Sequence, residues 1–141
     1  MPSNSILDVE LVHFPKFQRE DGTLFIMESK TGPAITFVRT FIVKGQRGAL
    51  RGQHAHHLCR QLFVCLNGLC HVTVDDGIDI RSDELASADT GLFVPAGLWT
   101  TQQYISDNTI LLVLCDRHYE EEDYIDDRAT FLDIRGFPRL S

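Results

Sequence analysis

No apolar run in the sequence approaches the roughly 18 to 20 residues that a membrane-spanning helix needs, and the first ten residues, MPSNSILDVE, lack the basic-then-apolar layout of an export signal. These absences point to a cytoplasmic protein that works away from membranes. Positive charge is scarce as well: 13 Lys and Arg face 20 Asp and Glu, for a net charge of -7 and a pI near 5.2. The basic residues are scattered rather than gathered into a stripe, which argues against a nucleic-acid partner. The four cysteines, Cys59, Cys65, Cys70 and Cys115, show no CxxC spacing, and three lie within or beside apolar runs. They are expected to be reduced packing residues, since a zinc or redox centre needs closely paired thiols. Repeats, linkers and low-complexity blocks are missing too, so the 141 residues read as one domain, 1–141, with room for one core.

What is present is the composition of a soluble globular protein, 43% apolar and 23% charged. Gly and Pro punctuate segments rich in Val, Ile, Phe, Thr and Leu, the signature of an all-β sandwich or barrel. Strands are predicted at about 24–29, 35–44, 52–57, 60–66, 69–75, 78–81, 90–95, 99–105 and 109–116. Asn67-Gly68 is expected to close a type I′ hairpin between LFVC and CHVTV, and Asp76-Gly77 to close another. Pro95-Ala96-Gly97 must bend the chain. Only the tail departs from this grammar. Over 120–134, Tyr124, Ile125, Ala129 and Leu132 fall at near-helical spacing behind an acidic start, which predicts a short C-terminal helix.

In the stretch RGQHAHHLCRQLFVCLNG, His54 and His56 are two residues apart, so on a strand both rings project from one face. His57 points to the other. Such a pair suits a metal ion, a shared substrate, or a plain barrel lining without chemistry. The spacing HxH-x4-Q-x6-G, running to Gln61 and Gly68, resembles the first motif of the cupins, a double-stranded β-helix or jelly roll. TGLFVPAGLWT resembles their second motif. A cupin metal site takes His, His, Glu and His, whereas Gln61 and Thr100 occupy the last two positions here. An amide and a hydroxyl replace two strong ligands, so no metal or other cofactor is expected. Without metal, two imidazoles with ordinary pKa values of about 6.5 can trade protons with a substrate near neutral pH.

The blocks RGQHAH, QLFVCLNGLCHVTVDDG, GLFVPAGLW and YEEEDYI together resemble the nucleotide-sugar 3,4-ketoisomerases, metal-free cupins acting on dTDP-4-keto-6-deoxyglucose. The resemblance spans about 20–135 and implies an isomerase for deoxysugars bound for cell-surface polysaccharide or glycosylated metabolites. It also implies a dTDP-sugar as the small-molecule partner and a homodimer. His54 and His56 are then the expected catalytic pair. Arg51 would hold a diphosphate or enediolate oxygen, Arg39 is a further candidate cation, Gln61 would orient a hydroxyl or an imidazole, and Trp99 would line the pocket. The alternatives are a surface ion pair for Arg51 and core packing for Trp99. The chain departs from the family in two places. ITFVRTFIVK stands where a tyrosine-bearing strand is expected, and Thr100 follows Trp99 in place of histidine. A sugar-nucleotide-binding cupin with altered catalysis is therefore the alternative function, and a metal-dependent cupin enzyme a third.

Overall fold

The structure, a computed structural model, describes residues 4–28 and 36–136. Its strands are β1 (Glu10–His13), β2 (Lys16–Arg19), β3 (Gly22–Phe25), β4 (Arg39–Gly45), β5 (Leu50–His56), β6 (Gln61–Asn67), β7 (Cys70–Asp75), β8 (Ile80–Leu85), β9 (Thr90–Val94), β10 (Trp99–Tyr104), β11 (Thr109–Cys115) and β12 (Tyr124–Ile125). They form two five-stranded sheets, β1-β9-β6-β11-β4 and β12-β5-β10-β7-β8, with β2 and β3 as a separate exposed hairpin. This is the jelly-roll arrangement expected from the sequence. No helix among the described residues is long and apolar enough to cross a membrane.

Alternation explains the inner faces. On β10 every second residue, Thr100, Gln102 and Tyr104, is buried, and on β11 so are Thr109, Leu111, Val113 and Cys115. These residues meet Phe63, Cys65, Val72, Val74 and Leu92 between the sheets. β6 is buried on both faces, which is why QLFVC reads as an unbroken apolar run. Its second face, Leu62 and Val64, is covered by Val12, Phe14 and Phe93. All four cysteines are free and buried.

The chain changes sheet at most turns, and this overturns one expectation. Asn67-Gly68 does not close a hairpin, because β6 pairs with β9 and β11 while β7 pairs with β8 and β10. It is a corner between sheets. Gly68 supplies the left-handed angle, φ +83°, and a Cβ there would lie 2.4 Å from Ser106 Oγ. β7 and β8 do form a hairpin at Asp76-Gly77, but through the four-residue loop Asp76–Asp79 between paired Asp75 and Ile80 rather than a two-residue type I′ turn, since Gly77 takes a positive φ and Asp76 does not. Pro95–Gly97 does bend the chain from β9 into β10.

The expected strand at 24–29 is β3, shifted to end at Phe25; its position 29, like position 35 of the expected 35–44 strand, lies outside the described residues. β1, β2 and β12 were not expected. The tail also differs: α1 covers only Arg128–Ile134, capped by the Asp127 carboxylate, which accepts from Thr130 N at 3.1 Å. The acidic residues before it form a single 3-10 turn, Glu121–Asp123, and then β12, which pairs Tyr124 with His56 and Ile125 with Ala55. Sheet pairing overrides local helical preference there.

Candidate active site

A cavity of about 450 Å³ opens between the sheets, in the size range of small-molecule sites. Arg39, Arg51, His54, Gln61, Thr100 and Tyr124 contribute to its wall, along with an apolar side that includes Phe41, Phe63 and Val113. Of the expected site residues, Arg39, Arg51, His54 and Gln61 therefore come together here.

Arg51 and His54 share this wall only because β5 is irregular. Three residues apart, they would face opposite sides of a regular strand. The ladder pairs Thr100 with His54 and Thr101 with Gly52, which leaves Gln53 as the extra residue of a bulge. Both bulge residues are left-handed, Gly52 at φ +81° and Gln53 at φ +59°. Gly52 is required for space as well, since a Cβ would lie 2.7 Å from Gln102 Oε1. The unfavourable Gln53 angle costs on the order of 1 kcal/mol and re-aims the arginine.

His56 sits one layer back. It is 6% exposed and is not part of the cavity wall, but its ring lies 5.0 Å from that of His54 and 4.4 Å from that of Tyr124, which are. Behind it is Asp123, which sequence reasoning missed. The Asp123 carboxylate is 3.0 Å from His56 Nδ1 and accepts from the backbone N–H of Leu58 at 2.7 Å and of Cys59 at 3.2 Å. Facing that acceptor, Nδ1 carries the donated proton, and Nε2 is left buried without a partner among the described residues. The tail motif DYI was visible, but its carboxylate read as part of a helix start.

Burial holds both histidines neutral. For His54 it lowers the pKa against a hydrogen bond with Gly52 backbone. For His56, burial and the neighbouring His54 outweigh the Asp123 hydrogen bond and bring the pKa down to about 4. Between pH 6.5 and 4 the unfolded chain thus binds a proton at His56 that the folded chain refuses, so stability falls as pH falls through that window. Urea denaturation at pH 8 and pH 5 should show wild type losing about 2 kcal/mol more than His56→Asn. Equal losses would contradict the depressed value.

One further position differs from expectation. Trp99 is not part of the cavity wall; its ring lies 5.5 Å from Phe131 and 5.4 Å from the Arg128 guanidinium, in a small cluster with Ala55 and Ile125. Here it packs against α1. Among the arginines, Arg47 pairs with Asp107, Arg60 with Asp116 and Arg117 with Glu120, whereas the expected Arg39 and Arg51 are in the wall. Arg39 is built in: its Nη2 donates to Tyr124 Oη and Cys115 Sγ, each at 3.5 Å, and its buried Nε has no partner among the described residues.

The four cupin ligand positions do not form a metal set. His56 Nδ1 faces Asp123, Gln61 Nε2 donates to Cys115 Sγ at 3.5 Å, and Thr100 Oγ1 accepts from Gln102 Nε2 at 3.0 Å. Among the described residues, His56, Cys59 and Asp123 have ligand atoms within 4.8 Å of one another. The donors suit an ion poorly: contact with Cys115 and burial push the Cys59 thiol up, and Asp123 is already occupied by three donors.

A jelly roll with a cavity between its sheets and a carboxylate-backed histidine pair at that cavity defines the class, a cupin-like domain with a small-molecule site. The chain belongs to the family described as FdtA: WxcM-like, C-terminal, whose model matches residues 7–136. It is 32% identical over 120 residues, 84% of this chain and 86% of the relative, to TDP-4-oxo-6-deoxy-alpha-D-glucose-3,4-oxoisomerase of Aneurinibacillus thermoaerophilus. Among solved structures it resembles a 3,4-ketoisomerase from Helicobacter canadensis at 26% identity and TM-score 0.86, covering 92% of this chain and 98% of the other. The Campylobacter jejuni TDP-fucose-3,4-ketoisomerase WlaRA is 25% identical with TM-score 0.83, covering 91% and 96% respectively.

Proposed function

We propose that the protein is an isomerase of deoxysugar biosynthesis that moves the keto group of a TDP-linked 4-keto-6-deoxyhexose from C4 to C3. The observation that carries this reading is His54 on the wall of a cavity that also holds two arginines, in a chain of this family. One imidazole removes the C3 proton, an enediolate forms, and a proton returns at C4. His54, which faces the cavity, and His56, whose Nε2 is the unpartnered nitrogen of the Asp123 pair, share these transfers. Their low pKa values favour the neutral base form at pH 7.

The two cations divide the substrate between them. Arg39, at the histidine end and joined to Tyr124, faces the enediolate oxygens. Arg51, more exposed, holds the diphosphate bidentately. Local charge is needed because a net charge of -7 repels a nucleotide at long range. Gln61 orients a sugar hydroxyl. Incubation with dTDP-4-keto-6-deoxyglucose, followed by NMR, should show the 3-keto product, at the same rate with a chelator present. An unchanged sugar at high enzyme overturns the proposal; dTDP binding without conversion would favour a binding protein, and loss of activity on chelation a metal enzyme.

We also infer a cytoplasmic homodimer. Among the described residues β4 ends its sheet with an open edge, and Val38, Phe41 and Ile42 are exposed along it, Ile42 at 60%. A second copy along this edge removes both liabilities. A single-chain mass by light scattering at working concentration would contradict it.

A further inference from the structure

Moving a carbonyl between neighbouring carbons relocates protons on oxygen as well as on carbon, and the histidines account only for the second. The missing group has to be a weak acid within reach of both sugar oxygens. β4 offers no comparable acid at the histidine end: its wall residues there are Arg39, which does not release a proton, Thr40, an alcohol, and Phe41. Thr100 is an alcohol already bonded to Gln102, and the phenol of Tyr104, also in the wall, lies at the far end of β10, four residues beyond the Thr100 that pairs with His54.

Tyr124 fits. Its strand register sets it directly across from His56, and its ring lies 5.1 Å from His54 and 4.4 Å from His56. Its hydroxyl accepts from Arg39 Nη2 at 3.5 Å, which leaves the phenol's own proton to be donated to a ligand. Tyr119 packs on its other side at 5.5 Å and fixes the ring. A phenol is far more acidic than a threonine hydroxyl, and the guanidinium is placed to hold the charge left behind.

Resting on the ketoisomerase reading, we propose that Tyr124 is the catalytic acid–base group that carries a proton between the two reacting sugar oxygens. As the imidazole takes the C3 proton, the C3–H pair forms the C3=C4 bond. The C4=O pair moves onto O4, which takes the phenol proton. The phenolate, held by Arg39, then removes the O3 proton. The O3 pair forms C3=O, and the C3=C4 pair takes a proton at C4 from the imidazolium. Tyrosine and histidine end as they began.

Tyr124→Phe keeps the ring and removes only the hydroxyl. It is expected to lower kcat by about 100-fold or more with KM nearly unchanged, while dTDP still raises its Tm as in wild type. Fluorotyrosine at position 124 should shift the alkaline limb of the rate profile to lower pH, which a purely structural ring would not do. A Tyr124→Phe enzyme within about threefold of wild type in kcat overturns the proposal, and so does an unshifted fluorotyrosine profile; the latter decides the matter if the Phe variant fails to fold. A wild-type protein that leaves the sugar unchanged overturns the isomerase reading itself and this inference with it.

Discussion

Replacement of His54 by asparagine is expected to lower kcat by about 10²- to 10⁴-fold, the usual contribution of a positioned acid or base. In free energy this is roughly 3 to 5.5 kcal/mol of transition-state stabilisation. Asparagine is close to imidazole in size and retains hydrogen-bonding ability, but it takes up no proton from carbon near neutral pH. His54 is only half-buried, so the loss should not come through unfolding. Binding of dTDP should be nearly unchanged, because the nucleotide is held by Arg51 in the proposed mode. Progress curves by NMR, paired with a dTDP thermal shift, separate the two effects. A variant that turns over within about threefold of wild type would remove His54 from the chemistry.

The second large effect is expected at Asp123. Its carboxylate, 7% exposed, accepts from two backbone N–H groups and stands 3.0 Å from His56 Nδ1. Asp123→Asn keeps the shape but places an NH2 group among donors. One of them must lose its acceptor, and His56 is driven toward the tautomer with its proton on Nε2, where it cannot act as a base. An aspartate-to-asparagine change behind a catalytic imidazole lowers kcat by about 10⁴-fold in the serine-protease triad, and a loss of about 10² or more is expected here. Stability should fall by about 2 to 4 kcal/mol, since hydrogen bonds to a buried charge contribute about 1.5 to 3 kcal/mol each. Chemical denaturation followed by circular dichroism measures the stability loss. Stable, fully active Asp123→Asn would show that His56 is a packing residue.

The strands around the site were legible because alternation and apolar runs are local properties, and β10 and β11 keep them closely. The histidine pair was legible for the same reason: a spacing of two fixes a shared face. What escaped depends on contacts distant in sequence. Asp123 and Tyr124 lie 67 and 70 residues beyond His56 and His54, respectively, and their segment is extended only because it pairs with β5. Nothing local marks Gln53 as a bulge, although it brings Arg51 and His54 into one cavity wall. Asn67-Gly68 has the residues of a hairpin, yet packing of β6 and β7 into opposite sheets makes it a corner. Trp99 carries the chemistry of a sugar-stacking residue, and the docking of Phe131 and Arg128 withdraws it.

The central claim is that the His54 pair moves a proton between neighbouring sugar carbons, and it is tested most directly by running the reaction on dTDP-4-keto-6-deoxyglucose in deuterium oxide. Wild type is predicted to release a 3-keto product labelled at C4, with His54→Asn giving neither label nor product on the same timescale. Recovery of unlabelled, unrearranged sugar from saturating wild-type enzyme, or equal labelling by His54→Asn, would contradict it.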